Sequence, residues 1–215
     1  MQLTAYGGHT LREACAVLEQ KFGKNVYFNT LTLPGSTREV YDTAARESTG
    51  LTNAYMQRIR HAIKTFCASS GIESEGLYAC GIWEWQERGA LHFHLVVGIE
   101  HRKLALYLKH NHRRWWRQVL ETYSDATGVD LFQREDGGSW RGDDTKPVTE
   151  WAKVKTSVEA YVSKYVAKTA RKAGLEGWIP PKKFWTLSTP LRKETISARM
   201  QVGCQFDTPE KAQEF

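Results

Sequence analysis

Two apolar stretches joined by a short link constrain the fold of this chain more than any other feature. Residues 77–86 and 91–99 are rich in β-branched and aromatic side chains, and the link between them contains Gly89. A link of this length with a glycine is typical of a β-hairpin. Alternation along the second strand places His92 and His94 on one face and its apolar side chains on the other. The sequence therefore predicts a hairpin that carries two neighbouring imidazoles.

The remaining pattern predicts helices and strands around this hairpin. Helices are predicted at 10–23 (with Thr10 as N-cap and Gly23 as its end), around 56–66, at 104–123 and at 148–172, and strands at 26–33, 129–133 and 184–188. No interior linker is visible, so we expect a single α+β domain over residues 1–215, built on a central antiparallel sheet of about five strands flanked by helices. Its core is expected at 26–188, with the helix 10–23 and the tail after Gly203 at the periphery.

Composition narrows the class of protein. The formal net charge is +6 and the pI is about 9.1, which favours a polyanionic partner. The chain has no apolar run of the roughly 20 residues that a membrane helix needs, and its first residues do not have the pattern of a secretory signal. The four cysteines are scattered and form no CxxC pair, which argues against a zinc site or a disulfide framework. We therefore expect a cytoplasmic protein with reduced thiols.

The hairpin also carries a candidate metal site. Two histidines at a spacing of two can bind one ion, although a pair of ordinary hydrogen-bonded histidines has the same pattern. Glu84 lies between two tryptophans on the preceding strand and would share the histidine face if the loop has an odd number of residues. Two imidazoles and one carboxylate leave coordination positions open, as a catalytic divalent ion requires. Gln86 lies on the same face and is a candidate fourth ligand or a partner of the ligands.

A second motif, YVSKYVAK at 161–168, predicts a helix face with unusual chemistry. Tyr161, Lys164, Tyr165 and Lys168 follow one another at i, i+3, i+4 and i+7, which is one continuous face. One interpretation is an amphipathic helix whose lysine stems cover apolar surface. The other is a phenolic nucleophile next to a cation, because a nearby ammonium stabilises a phenolate and the negative charge of a phosphate under attack.

A basic and aromatic segment at 110–117 is a candidate DNA contact. Arg113 and Arg114 would follow a phosphate backbone, and Trp115 or Trp116 would stack on a base. The alternative is that the tryptophans face the core and the arginines face solvent. Adjacent helical residues point about 100° apart, so at most one of the two tryptophans is expected to face the core centrally.

Taken together and in this order, the motifs resemble those of the HUH endonuclease superfamily and, within it, of rolling-circle replication initiator (Rep) proteins. NTLTLP at 29–34 resembles the first motif, and Glu84 followed by LHFH at 91–94 resembles the metal motif. The segment at 161–168 resembles the tyrosine motif in its two-tyrosine form, similar to that of microvirus phage A proteins and of plasmid and phage Reps. FWTLS at 184–188 is similar to a segment often found after that helix. The resemblance spans residues 26–188.

This resemblance implies roles for individual residues. His92, His94 and Glu84 would bind Mn²⁺ or Mg²⁺. The tyrosine motif would supply two nucleophiles, Tyr161 and Tyr165, together with the motif lysine Lys164 and its repeat Lys168. The implied fold places the hairpin at the centre of the sheet, with the tyrosine helix across its histidine face.

The implied activity is site-specific nicking and rejoining of single-stranded DNA at an origin, through a 5′-phosphotyrosine. The chain has no Walker-type phosphate loop, so a helicase of the bacterial host is the expected partner of a monomeric protein. Three alternatives stay open at this point: a two-tyrosine transposase of the same superfamily, a non-catalytic origin-binding protein, and a metal-dependent hydrolase that uses water. A conjugative relaxase is disfavoured, since in that group the tyrosine typically precedes the histidine motif.

Overall fold

The computed structural model describes residues 5–74, 76–86, 90–155, 157–172 and 179–206. In chain order its elements are α1 (Ala5–Phe22), β1 (Val26–Thr32), α2 (Arg38–Arg46), α3 (Ser48–Ser70), β2 (Tyr78–Trp85), β3 (Leu91–Gly98), α4 (Arg102–Thr127), β4 (Thr149–Lys153), α5 (Val158–Lys172), β5 (Trp185–Leu187) and α6 (Thr189–Phe206). None of the helices in these ranges is long and apolar enough to cross a membrane.

The five strands form one antiparallel sheet in the order β4-β1-β3-β2-β5. The predicted hairpin, β2 and β3, therefore lies inside the sheet, with β3 as its middle strand. This confirms the α+β class and the central antiparallel sheet with flanking helices.

Each face of the sheet buries its own apolar cluster. The odd-numbered side chains of β3, among them Phe93 and Leu95, pack with residues of α2, α3 and α4. The even-numbered side of the sheet, including Phe28, Ile82 and Val96, packs with α1, α5 and α6. Strands buried on both faces explain why β2 and β3 are almost continuously apolar, and why Glu84 and His94 stand out as buried polar residues.

Several predicted boundaries are wrong. The helix α1 begins at Ala5, so Thr10 lies inside the helix and is not its N-cap. It is also not peripheral, because Leu11, Cys15 and Leu18 are fully buried in the second cluster. The predicted strand 129–133 is a turn held by a single bridge between Gln133 and Ser139.

The predicted helix at 148–172 divides into two elements. Its first part is the strand β4, which pairs along β1 from Tyr27↔Lys153 to Leu31↔Thr149, and the helix α5 begins only at Val158. Two helices, α2 and α6, were not predicted. The predicted strand at 184–188 is confirmed as β5, which pairs with β2 through Ile82↔Trp185.

Candidate metal and tyrosine site

The hairpin register places the acidic and imidazole side chains on one face. Glu84 is directly opposite His92, and Ile82 is opposite His94. The backbone N–H of Gln86 donates to the carbonyl of Ala90 at 2.8 Å, so three residues, 87–89, separate the paired ends. An odd loop therefore gives the shared face that the sequence argument requires, although the loop itself lies outside the described residues.

Glu84 and His94 form a buried pair. The His94 Nε2–H donates to Glu84 Oε2 at 2.7 Å, and the two residues are 1% and 4% exposed. A carboxylate that is removed from water needs such a charge-assisted partner, since an uncompensated buried charge is costly. The Gln86 amide in turn donates to His92 Nδ1 at 3.1 Å, which orients the second imidazole.

The threonines of NTLTLP also lie on the histidine face, a feature that sequence reasoning missed. Thr30 is opposite His94 and Thr32 is opposite His92, and directly opposed residues share a side of the sheet. Thr30 Oγ1 lies 3.4 Å from His94 Nδ1, at the outer limit of a hydrogen bond. Period-two alternation along β1 was the available signal for finding them.

Asn29 of the same motif has a structural role on the opposite face. Its amide donates to the hydroxyl of Tyr55, and both residues are fully buried. Burial raises the pKa of Tyr55 well above its ordinary value, so this phenol stays neutral. The first motif thus joins a core hydrogen bond to two hydroxyls that face the histidines.

The tyrosine helix crosses the histidine face, as the resemblance implies. Tyr165 is 8% exposed, and its ring lies over that of His94 with centroids 3.9 Å apart. Phe28 packs against both rings, at 5.4 Å from His94 and 5.9 Å from Tyr165. Lys164 is exposed, with Nζ 5.9 Å from the centre of the Tyr165 ring. The side chains of Tyr161 and Lys168 lie outside the described part of the structure, so their predicted roles stay predictions.

The donor set fits a divalent cation, but one ring has to move. Imidazole nitrogen and carboxylate oxygen bound to one ion lie about 3 Å apart, close to the 2.7 Å between His94 and Glu84. Two imidazoles on one ion have ring centres about 5 Å apart, whereas those of His92 and His94 are 6.1 Å apart. Accordingly, no three His, Cys, Asp or Glu side chains in the described ranges are already gathered around one point. A rotation of His92 is the adjustment that would complete the set.

The basic and aromatic segment 110–117 lies on α4, on the other side of the sheet. Trp116 is fully buried and its indole N–H donates to the carbonyl of Thr32 at 2.9 Å. Trp115 is 8% exposed and packs at the edge of the core against Tyr107. Both tryptophans are therefore core residues, and the interpretation of them as base-stacking residues is not supported. Arg113 and Arg114 are exposed, as expected.

These features describe an α+β protein whose central hairpin carries a buried glutamate–histidine pair beneath a tyrosine-bearing helix. The family model for the replication-associated protein ORF2 matches residues 26–170, about two thirds of the chain, from the start of β1 into α5. The chain therefore belongs to this replication-associated protein family, which suggests a role in initiating replication. Comparison with curated proteins and with solved structures gave no significant match.

Proposed function

We propose that the protein initiates rolling-circle replication as an HUH-type endonuclease, cutting and rejoining single-stranded DNA at an origin through a tyrosine ester. The observation that carries the proposal is the stacking of Tyr165 on His94, which is itself hydrogen-bonded to Glu84. A tyrosine of the YxxKYxxK motif thus lies directly against the candidate metal ligands, where a scissile phosphate would have to bind.

The reaction conserves the energy of the phosphodiester bond. A phenolic oxygen of the tyrosine pair attacks phosphorus and loses its proton, and the bond from phosphorus to the 3′-oxygen breaks. The leaving oxygen takes up a proton and becomes a 3′-hydroxyl, while the 5′-phosphate stays on the tyrosine. Attack by a 3′-hydroxyl reverses the step and rejoins DNA, so no nucleotide hydrolysis is needed. A second tyrosine permits a second cut while the first strand is still attached.

Glu84, His92 and His94 are the residues that would hold Mn²⁺ or Mg²⁺. When bound, the ion supplies Lewis-acid polarisation of the scissile phosphate. The chain itself holds the ligands in place, because the Gln86 amide orients His92 and the ring of Tyr165 covers His94. The exposed ammonium of Lys164 lies beside Tyr165 and can stabilise negative charge on the phosphate.

Covalent trapping tests this proposal. The protein is incubated with labelled single-stranded DNA that covers its own gene and flanks, with Mn²⁺ or with EDTA, and a denaturing gel reports protein–DNA adducts. We expect a metal-dependent adduct that is lost in the Tyr161→Phe/Tyr165→Phe variant. Tyr27→Phe is the matched control: this tyrosine packs on the opposite face against Trp151 and should retain wild-type adduct yield.

The other outcomes are informative in different ways. Metal-dependent cleavage that survives loss of both tyrosines would indicate a hydrolase that uses water. Binding without cleavage or adduct would indicate a non-catalytic origin-binding protein. An adduct that exchanges strands only between two element ends would favour the two-tyrosine transposase.

The ion is tested separately by titrating Mn²⁺ calorimetrically into the DNA-free protein. Removing one ligand side chain, as in His92→Ala, should weaken binding by at least about 10- to 100-fold, the loss typical even for the partners of metal ligands. His110→Ala, on the exposed surface of α4, is the control and should bind as wild type does. Equal affinity in all three proteins would place the ion elsewhere.

A further inference from the structure

The positive charge of the chain is concentrated on two helices. Together, α3 and α4 contain nine lysine and arginine residues and two acidic residues, a net charge of +7. The whole chain has a net charge of +6, so all residues outside these two helices sum to −1. Both acidic residues, Glu121 and Asp125, lie in the last two turns of α4. The preceding part of α4 and all of α3 contain no carboxylate side chain.

The outward side of α4 presents a continuous exposed ridge. We define the α4 ridge as Lys103, Leu106, Tyr107, His110, Arg113 and Arg114, which are all exposed. Their spacing of three, one, three, three and one places them within one third of the helix circumference, over a length of about 16 Å. Leu106 and Tyr107 are 44% and 46% exposed within this basic surface. An amphipathic ridge of this kind fits a partner that offers phosphates together with base edges or methyl groups.

A groove between α3 and α4 borders the ridge. It has a volume of about 460 Å³ and is lined by Arg58, His61, Tyr107 and Trp115, among others. The Arg58 guanidinium donates to the side-chain oxygen of Gln118 at 3.1 Å, and that of Arg114 donates to Asn111 at 2.7 Å. Amide oxygens orient these two cations without neutralising them, so their charge is available to an anion outside the protein.

This basic surface lies on the opposite side of the sheet from the histidines. Trp116 on α4 donates to the carbonyl of Thr32, and Leu104 and Leu108 belong to the cluster that contains Phe93. The Phe93 side chain points away from the face of His92 and His94 because adjacent strand residues alternate. The sheet and a helix therefore separate the ridge from the candidate site, and one short DNA segment cannot occupy both.

We propose that the α4 ridge and the adjoining groove bind double-stranded DNA that flanks the single-stranded segment in the site. The outer side of a helix is convex, and the major groove of B-DNA, about 12 Å wide, admits a helix. Single-stranded DNA is usually held in a concave channel with several aromatic rings for stacking. On this surface Tyr107 is exposed, whereas Trp115 and Trp116 are buried. The proposal rests on the proposed function only in taking DNA as the partner.

Fluorescence anisotropy with a labelled 20-base-pair duplex of mixed sequence tests the inference, with a 20-nucleotide oligo-dT as the single-stranded probe. Arg113→Gln/Arg114→Gln removes two ridge charges and keeps helix propensity. The matched control is Arg192→Gln/Lys193→Gln, an adjacent exposed pair on α6, which covers the other face of the sheet.

We expect the ridge variant to lose at least about tenfold in duplex affinity near 0.1 M salt, with a slope of log K against log salt reduced by about 1.8. The control and the metal-dependent adduct on single-stranded DNA should remain at wild-type levels. Equal loss in the control, or unchanged duplex affinity in the ridge variant, would overturn the inference. A loss confined to oligo-dT would also overturn it, because it would make the ridge a single-strand surface.

The adduct assay separates this inference from the proposed function. Wild-type protein that binds duplex through Arg113 and Arg114 but forms no adduct would refute nicking and leave the duplex surface standing. Normal adduct formation with no ridge-dependent duplex binding would do the reverse.

Discussion

The contact between Gly81 and Phe93 ties the core of the sheet to the strand that carries the histidines. Phe93 stands between His92 and His94 in sequence, is fully buried, and packs against Trp83 with centroids 5.0 Å apart. A Cβ added at Gly81 would lie 2.3 Å from Cζ of Phe93, 2.7 Å from Cε2 and 3.2 Å from Cε1. Carbon atoms normally pack at about 3.5–4.0 Å, so the ring would have to move by more than about 1 Å.

The size and sign of the effect follow from this geometry. Overpacking of a buried site costs about 1–3 kcal/mol, and replacing a strand glycine by alanine returns about 0.5–1 kcal/mol of backbone entropy. Gly81→Ala should therefore destabilise the protein by about 1–2 kcal/mol, or lower Tm by about 2–8 °C at this chain length. The three clashing atoms are those that leucine lacks. In a Phe93→Leu background, itself about 2 kcal/mol less stable, Gly81→Ala should instead stabilise by about 0.5–1 kcal/mol.

Urea unfolding of the four proteins, followed by tryptophan fluorescence, measures this double-mutant cycle. The expected signature is a reversal of sign for Gly81→Ala between the two backgrounds, at similar m-values. A loss of the same size in both backgrounds would show that the ring of Phe93 is not what excludes a side chain at Gly81. The packing argument for the histidine strand would then be refuted.

Three further perturbations have outcomes fixed by single contacts. Thr37 accepts a backbone N–H in the first turn of α2, so Thr37→Ala should cost about 1 kcal/mol in urea unfolding while Thr37→Ser stays near wild type. Trp116→Phe removes the donor to the buried carbonyl of Thr32 and should cost about 1–3 kcal/mol, and an unchanged unfolding midpoint would contradict this. A hydrogen bond from Arg199 lowers the pKa of Glu13 below its usual value near 4.5, so the pair contributes stability above the unfolded-state pKa that is lost as pH falls through the folded-state value. Glu13→Gln should therefore lose less stability than wild type in unfolding measured below pH 4.5, and parallel profiles would refute the linkage.

Local pattern was sufficient where an element's neighbours repeat its own periodicity. The hairpin, the strand β1 and the helices α3 and α4 are all recognisable because their apolar spacing persists over several turns or alternations. Gly71 and Gly128 both adopt the left-handed conformation directly after α3 and α4. The first of these was predicted as a helix end, and the second lies five residues beyond the predicted end of α4.

Other elements depend on pairing that is distant in sequence. The strand β4 consists of TEWAK, in which only Trp151 is buried, and it exists because β1 offers an unpaired edge more than a hundred residues earlier. Without that edge, residues 149–153 continue naturally into the helical pattern of α5. The helix α2 is short, and α6 has little apolar periodicity; each is held by packing rather than by its own pattern.

At the site, the order of residues along the hairpin is enough to specify which side chains can act together. The side-chain period of a strand is two, so an odd loop places Glu84 on the face of His92 and His94. Three contacts required the folded chain: Glu84 with the His94 imidazole, Tyr165 on that same ring, and both Trp115 and Trp116 with the core. Strand alternation is a property of the backbone, whereas the placement of α5 and α4 depends on which apolar clusters exclude water when the two faces of the sheet are covered.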